Sequence, residues 1–223
     1  MFIYIRSVID AIAIACFACV FAFIEIEVEG PDGWAKNLPT PQNVLGHLSL
    51  YHVFMVSMAA IVIAGFIYFR SSCTASNDNK CNTLTPITPW WKMLLTNIGT
   101  FVFHLVLFFL VQDFLWFVFN PAYTIKRYKQ SCIPWHKQWF LGIPSFNFMG
   151  AAMIAFIIAL SPVRKQLGVS VGAYAGCVAL AVAVSPLYHT FYRNIHSTCI
   201  QGNTSGLPSR CGATVNLGEK CTL

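Results

Sequence analysis

The longest apolar runs in this chain decide its solvent. From about Val8 to Val28, Leu50 to Phe69, Ile98 to Phe119, Ile143 to Leu160 and Leu167 to Leu187, five stretches pass with few charges. Each is close to the roughly 20 apolar residues that cross about 30 Å of hydrocarbon. Backbone in hydrocarbon must satisfy its own hydrogen bonds, so such runs are helices. The alternating pattern of a membrane barrel is absent. Composition agrees: 57% of the 223 residues are hydrophobic and 10% are charged, where a soluble domain carries about 25% charged residues.

The expectation is therefore an all-α polytopic membrane protein, a bundle of about five transmembrane helices over residues 1–196, with a short cysteine-containing tail over 197–223. Arg6 precedes the first run as in a signal peptide, but no small-residue cleavage site follows, so the first helix is read as retained. Asn120-Pro121 and Pro162 end the third and fourth runs. Pro186 is a kink candidate in the fifth. The net charge of +6 comes from Lys and Arg scattered in loops. It forms no basic stripe, which argues against nucleic acid and for lipid headgroups as the partner.

Five spans put the termini on opposite sides. Side one takes the N-terminus, the 70–97 loop and the Arg164-Lys165 turn; side two takes the 29–49 and 120–142 loops and the tail. Lys and Arg divide too evenly to orient the chain. Side two carries Cys132, Cys199, Cys211 and Cys221, candidates for disulfides, and the sequon Asn203-Thr204-Ser205. Both suit a non-cytosolic face. Cys73 and Cys81 form a competing candidate pair on side one.

Lipid gives helices no hydrophobic reason to associate, so small residues mark contact faces. Gly168, Gly172 and Gly176 recur every four residues in the fifth run, and Ala11, Ala15, Ala18 and Ala22 line one face of the first. The glycine stripe is expected to pack closely, inside the monomer or in self-association or a contact with another membrane subunit. Leucine at Gly172 should then do more harm than leucine at Gly150. The third run is crowded with aromatics, among them Phe101, Phe103, Phe108, Trp116 and Phe119, suited to packing, to lipid or to lining a hydrophobic ligand site.

Ionisable groups are costly in or near a bilayer and are functional candidates for that reason. Here they gather at side two: Glu25, Glu27, Glu29, His47, His52, Asp113, His136, His189 and His196. Glu25 and Glu29 share a helix face. His104 lies nine residues before Asp113, about 13 Å along the axis, and belongs to another depth. Four residues are best placed to converge, Glu29, His52, Asp113 and His136, with Asp113 and His136 expected within direct or metal-bridged reach of each other and the other two completing the group. Imidazole and carboxylate together suit zinc, iron or manganese, so the four are candidate ligands of a divalent transition metal. Hydrogen-bonded docking of the two side-two loops is the simpler reading of the same residues. His-Glu-x-x-His, a nucleophile elbow and a phosphate-binding glycine loop are all missing.

Gly33-Trp34-Ala35-Lys36-Asn37-Leu38-Pro39-Thr40, Tyr51-His52, Asp113-Phe114-Leu115-Trp116-Phe117, Asn120-Pro121 and Trp135-His136 together resemble segments of small uncharacterised integral membrane proteins of microbes, roughly as far as Ser145. The resemblance implies a membrane fold and no activity. Three functions stay open: a metal-dependent enzyme on a lipid-soluble substrate, a non-catalytic subunit of a membrane complex, and a transporter, which the absence of inverted repeats makes the last of the three.

Overall fold

A computed structural model describes residues 2–29, 38–41, 44, 48–76, 90–123, 125–133 and 136–201. The chain is mostly helical. Among the described residues there are five α-helices: α1 (Phe2–Glu29), α2 (Leu50–Ser76), α3 (Trp90–Phe119), α4 (Ser145–Leu160) and α5 (Arg164–Gln201). Four of them, α1, α2, α3 and α5, are long and apolar enough to cross a membrane. The fourth predicted span forms the shorter α4, 16 residues or about 24 Å at 1.5 Å per residue.

The helices follow from how each can bury small or flat faces. Ala11, Ala15, Ala18 and Ala22 are fully buried, and α1 uses that stripe to approach α3 and α5, its two main neighbours. Phe17 stacks on Phe108 with centroids 5.1 Å apart, and Phe23 stacks on Tyr188 at 4.6 Å. Helix α3 is central and packs against all four others. Its Phe103, Phe108, Trp116, Phe117 and Phe119 are buried, so these aromatics are core rather than lipid-facing. Helix α2 packs chiefly on α3, through Ala59, Ile63 and Ile67, four residues apart on one face.

Contacts at both ends fix direction. The Ser170 hydroxyl donates to Ser7 O near the start of α1 and α5, while His189 Nε2 meets Val118 O at 2.9 Å near the end of α3 and α5. Helices α1, α3 and α5 therefore run parallel. The Val118 carbonyl lies in the last turn of α3, where no helical N–H remains for it; His189 supplies the donor. Inside α5, Pro186 cannot donate to Val182 O. The Ser185 hydroxyl donates to that same carbonyl at 2.9 Å, and the helix continues to Gln201. It thus runs past the predicted span end at Leu187 and takes in the first residues of the predicted tail.

The glycine stripe corrects an expectation. A β-carbon at Gly168, Gly172 or Gly176 would meet nothing within 4 Å, and all three glycines are exposed. Spacing of four placed them on one face, but that face points away from the bundle. The close approach lies elsewhere: a β-carbon at Gly150 would meet both Leu110 methyls at 2.8 Å, so α4 leans on α3 at a single glycine.

Between α3 and α4 the chain makes a structured return. The Asn120 side chain accepts the Ala122 N–H at 3.0 Å, a turn that stops α3. A short 3-10 turn follows at Ile125–Arg127. A two-residue hairpin then pairs β1 (Trp139–Phe140) with β2 (Ile143–Pro144) in antiparallel register. Leu141 and Gly142 both have positive φ, 49° and 78°, which a tight primed turn requires and only the glycine adopts freely.

Cys16, Cys19 and Cys177 are free thiols. Cys132 is buried and disulfide-bonded. The other predicted pairing candidates, Cys73, Cys81, Cys199, Cys211 and Cys221, have side chains outside the described residues, as does the sequon.

Candidate functional site: a carboxylate and histidine cavity

At the end of the bundle read as side two, the apolar packing opens into a cavity of about 350 Å³. Its floor is the last turns of α3, with Phe109, Gln112, Asp113, Trp116 and Phe117. One wall is α1 and α2, with Phe21, Glu25, Glu29, His52, Met55 and Val56; the other is His136 and Phe146. Helices α2 and α4 each pack on α3 rather than on one another. The cavity occupies the cleft they leave.

All four residues singled out from the sequence line this cavity, as two pairs. His52 Nε2 stands 3.4 Å from Glu29 Oε1. His136 Nε2 stands 3.7 Å from Asp113 Oδ1. They do not form a single ligand set: among the described residues no group of three or more His, Cys, Asp or Glu is placed to hold a metal ion. Glu29 and His52 are carried by α1 and α2, Asp113 and His136 by α3 and the return loop. Zinc, iron or manganese would need at least one more protein ligand at either pair.

Each pair is aimed by local structure. Ser49 precedes α2, and its hydroxyl accepts the His52 backbone N–H at 3.3 Å, an ordinary N-cap. The same oxygen lies 2.7 Å from His52 Nδ1. With the hydroxyl donating to Nδ1, the ring proton sits on Nε2 and points at Glu29. Serine, histidine and carboxylate in a row suggest a nucleophile, but Ser49 is fully buried and absent from the cavity lining. Its place is to fix the ring.

His136 is held by aromatics. Its ring lies 4.9 Å from that of Phe146 and 6.2 Å from that of Phe117. The Trp139 indole donates to the His136 carbonyl at 2.6 Å, tying the β-hairpin to the loop. Burial pushes the His136 imidazole down to about 4, so it is neutral at pH 7. Tyr128 stands beside Phe117 and accepts a hydrogen bond from Asn147 at 2.9 Å. Burial first, and then the nearby Asp113 carboxyl, push its phenol up to about 12. Asp113 is the most open of the four, with 28% of its side chain exposed, and among the described residues its Oδ2 has no hydrogen-bond partner.

Two cavity residues were not drawn from the sequence as members of the set. Gln112 donates through Nε2 to Glu25 Oε2, bridging α3 to α1, and Glu25 lies within electrostatic reach of both Glu29 and Asp113. Glu25 was legible as a partner of Glu29 by its spacing of four. Gln112 carries no charge and gave only the weaker signal of an amide within an apolar run. His104 lies elsewhere, fully buried with Nδ1 3.5 Å from the Tyr174 hydroxyl. The side chains of His47 and His196 lie outside the described residues.

Compared with known protein families, with curated proteins and with solved structures, the chain finds no match.

Proposed function

We propose that this chain is a multi-pass membrane protein of five spans whose side-two cavity binds a lipid-soluble molecule and performs acid–base chemistry on it. The observation that carries the reading is the pair of His–carboxylate couples, Glu29 with His52 and Asp113 with His136, lining one cavity. A volume of 350 Å³ lies at the lower end of the roughly 300–1,000 Å³ typical of small-molecule sites. General acid–base catalysis needs one group that gives a proton and one that takes it, within hydrogen-bond reach of the substrate. A neutral His136 beside Asp113 and a His52 with its proton aimed at Glu29 provide both roles within one cavity.

The five-span topology is part of the proposal. Helix α4 is short, but a tight turn at Ser161 joins it to α5, and Gly150 lets it lie close along α3. Its ends then fall within the bilayer's polar margins. The disulfide at Cys132 supports an oxidising compartment at the cavity end.

Labelled water tests the chemistry without a known substrate. The protein is placed in nanodiscs made from lipids of the membranes that express it, then incubated in water carrying deuterium and oxygen-18. Mass spectrometry should find a lipid-soluble species gaining label with the wild-type protein and not with His136→Gln or Glu29→Gln. No species labelled beyond protein-free discs would refute the catalytic reading.

A second reading rests on the outward glycine face of α5. Gly168, Gly172 and Gly176 are open to another helix, as in a subunit of a membrane complex. Disulfide crosslinking through Gly172→Cys between copies or to a neighbouring subunit would favour it; a strictly monomeric chain in native membranes would not.

A further inference from the structure

The cavity's polar lining is His52, His136, Gln112 and three acids. Glu25, Glu29 and Asp113 line it, and no lysine or arginine does among the described residues. The nearest lysine along the chain, Lys137, is exposed, and the Arg127 guanidinium is occupied with the Ala122 carbonyl at 2.7 Å. The rest of the lining is Phe21, Phe109, Trp116, Phe117, Phe146 and Met55 among other apolar groups. Aromatic faces carry negative electrostatic potential, so the rings and the acids favour the same kind of guest.

Three classes of ligand can be compared. An anion would meet three acids and, among the described residues, no lysine or arginine. A neutral apolar molecule would displace water from the acids and give their oxygens nothing in return. A cation with an apolar body satisfies both walls: its charge sits by the carboxylates and its body lies on the rings, where cation–π attraction adds to burial. Asp113 lines the cavity, and with 28% of its side chain exposed against 5% for Glu29 it is the natural place for an N–H donor or an ammonium face.

We infer that the ligand of this cavity is a lipophilic cation, an apolar body bearing a protonated amine or a quaternary ammonium. The inference rests on the reading above that the cavity takes a lipid-soluble molecule. Glu25, Glu29 and Asp113 hold the charge; Phe109, Trp116 and Phe146 hold the body.

Three probes with one body and different charge test it: 1-adamantyl-trimethylammonium, 1-adamantanemethanol and 1-adamantanecarboxylate. Binding to the full chain in nanodiscs of zwitterionic lipid is followed by tryptophan fluorescence, with empty discs subtracted for partitioning. The ammonium should bind at least ten-fold tighter than the alcohol, and the carboxylate weakest. Glu25→Gln and Asp113→Asn should each weaken the ammonium about ten-fold and leave the alcohol within two-fold. The wild-type series alone decides if a variant does not fold. Binding of the alcohol or the carboxylate as tight as that of the ammonium overturns the cation inference while leaving a ligand cavity. Failure of all three to bind overturns both.

Discussion

Leucine at Gly150 and leucine at Gly172 should have opposite consequences. At Gly150 even a β-carbon would come within 2.8 Å of the Leu110 methyls and 3.1 Å of its Cγ, so a full leucine must displace the Leu110 side chain that packs α4 on α3. Overpacking of this kind costs about 1–3 kcal/mol. At Gly172 nothing lies within 4 Å, and replacing glycine within a helix gains up to about 0.8 kcal/mol of helix propensity. In a chain of this size each kcal/mol moves the melting temperature by roughly 2–4 °C. Gly150→Leu, whose clash is partly offset by the same propensity gain, should therefore melt up to roughly 12 °C below wild type and Gly172→Leu at or slightly above it. A thiol-reactive dye in detergent reports melting through Cys19 and Cys177, both half-buried. A double-mutant cycle with Leu110→Ala separates the clash from a general loss: Gly150→Leu should cost less in that background by at least about 0.5 kcal/mol. Equal losses at Gly150 and Gly172, or no coupling to Leu110, would refute the assignment of the close contact to α3 and α4.

His136 titrates at about 4 when folded against 6.5 ordinarily, so between those values only the unfolded chain takes up its proton; stability should fall as pH drops from 6.5 to 4 and level off below, and melting curves of His136→Gln should lack that component. His189→Leu should cost about 1–3 kcal/mol by stranding the Val118 carbonyl in apolar surroundings, read as a lower melting temperature with the cavity's ligand affinity retained. Elemental analysis of purified protein should find no stoichiometric zinc, iron or manganese that His52→Ala and His136→Ala both remove; a metal lost in both would restore a single four-ligand centre. Val44→Cys and Gln130→Cys, at exposed loop positions, should label from the same side of sealed vesicles, and labelling from opposite sides would break the five-span topology.

The site was more legible than the packing, for a physical reason. An acid such as Asp113 within an apolar run carries a penalty that some partner must offset, and chain order limited the candidates to groups at the same end. That logic placed Glu29, His52 and His136 around one cavity without any contact map. It paired Asp113 with His136, as the structure has them, but could not assign Glu29 to His52 as a separate pair, because that depends on how far α2 stands from the return loop. Gln112 was overlooked because an amide pays a smaller penalty and so signals less. The glycine stripe misled in another way: a spacing of four defines a face, but nothing in α5 says which way the face turns. The alanine stripe of α1 has the same ambiguity and turns inward. The outward exposure of α5 is set by α1 and α3 already occupying its other side, a fact of three helices rather than of one. The β-hairpin at Trp139–Pro144 escaped notice because two-residue strands leave no periodicity.

The parallel trio of α1, α3 and α5 also sets an order of events during synthesis. Helix α1 is made first, yet one of its two main contact surfaces belongs to the helix made last, and the Ser7–Ser170 bond joins residues 163 positions apart. Until α5 enters the bilayer, the alanine face of α1 is only half covered, and the Val118 carbonyl at the end of α3 waits for His189. On the proposed five-span topology, the intermediate that precedes entry of α5 is therefore a membrane-resident chain with an unclosed seam. It is the species on which helper proteins or membrane proteases would act, and substitutions along that seam would be expected to change how much protein accumulates before they change how the finished protein behaves.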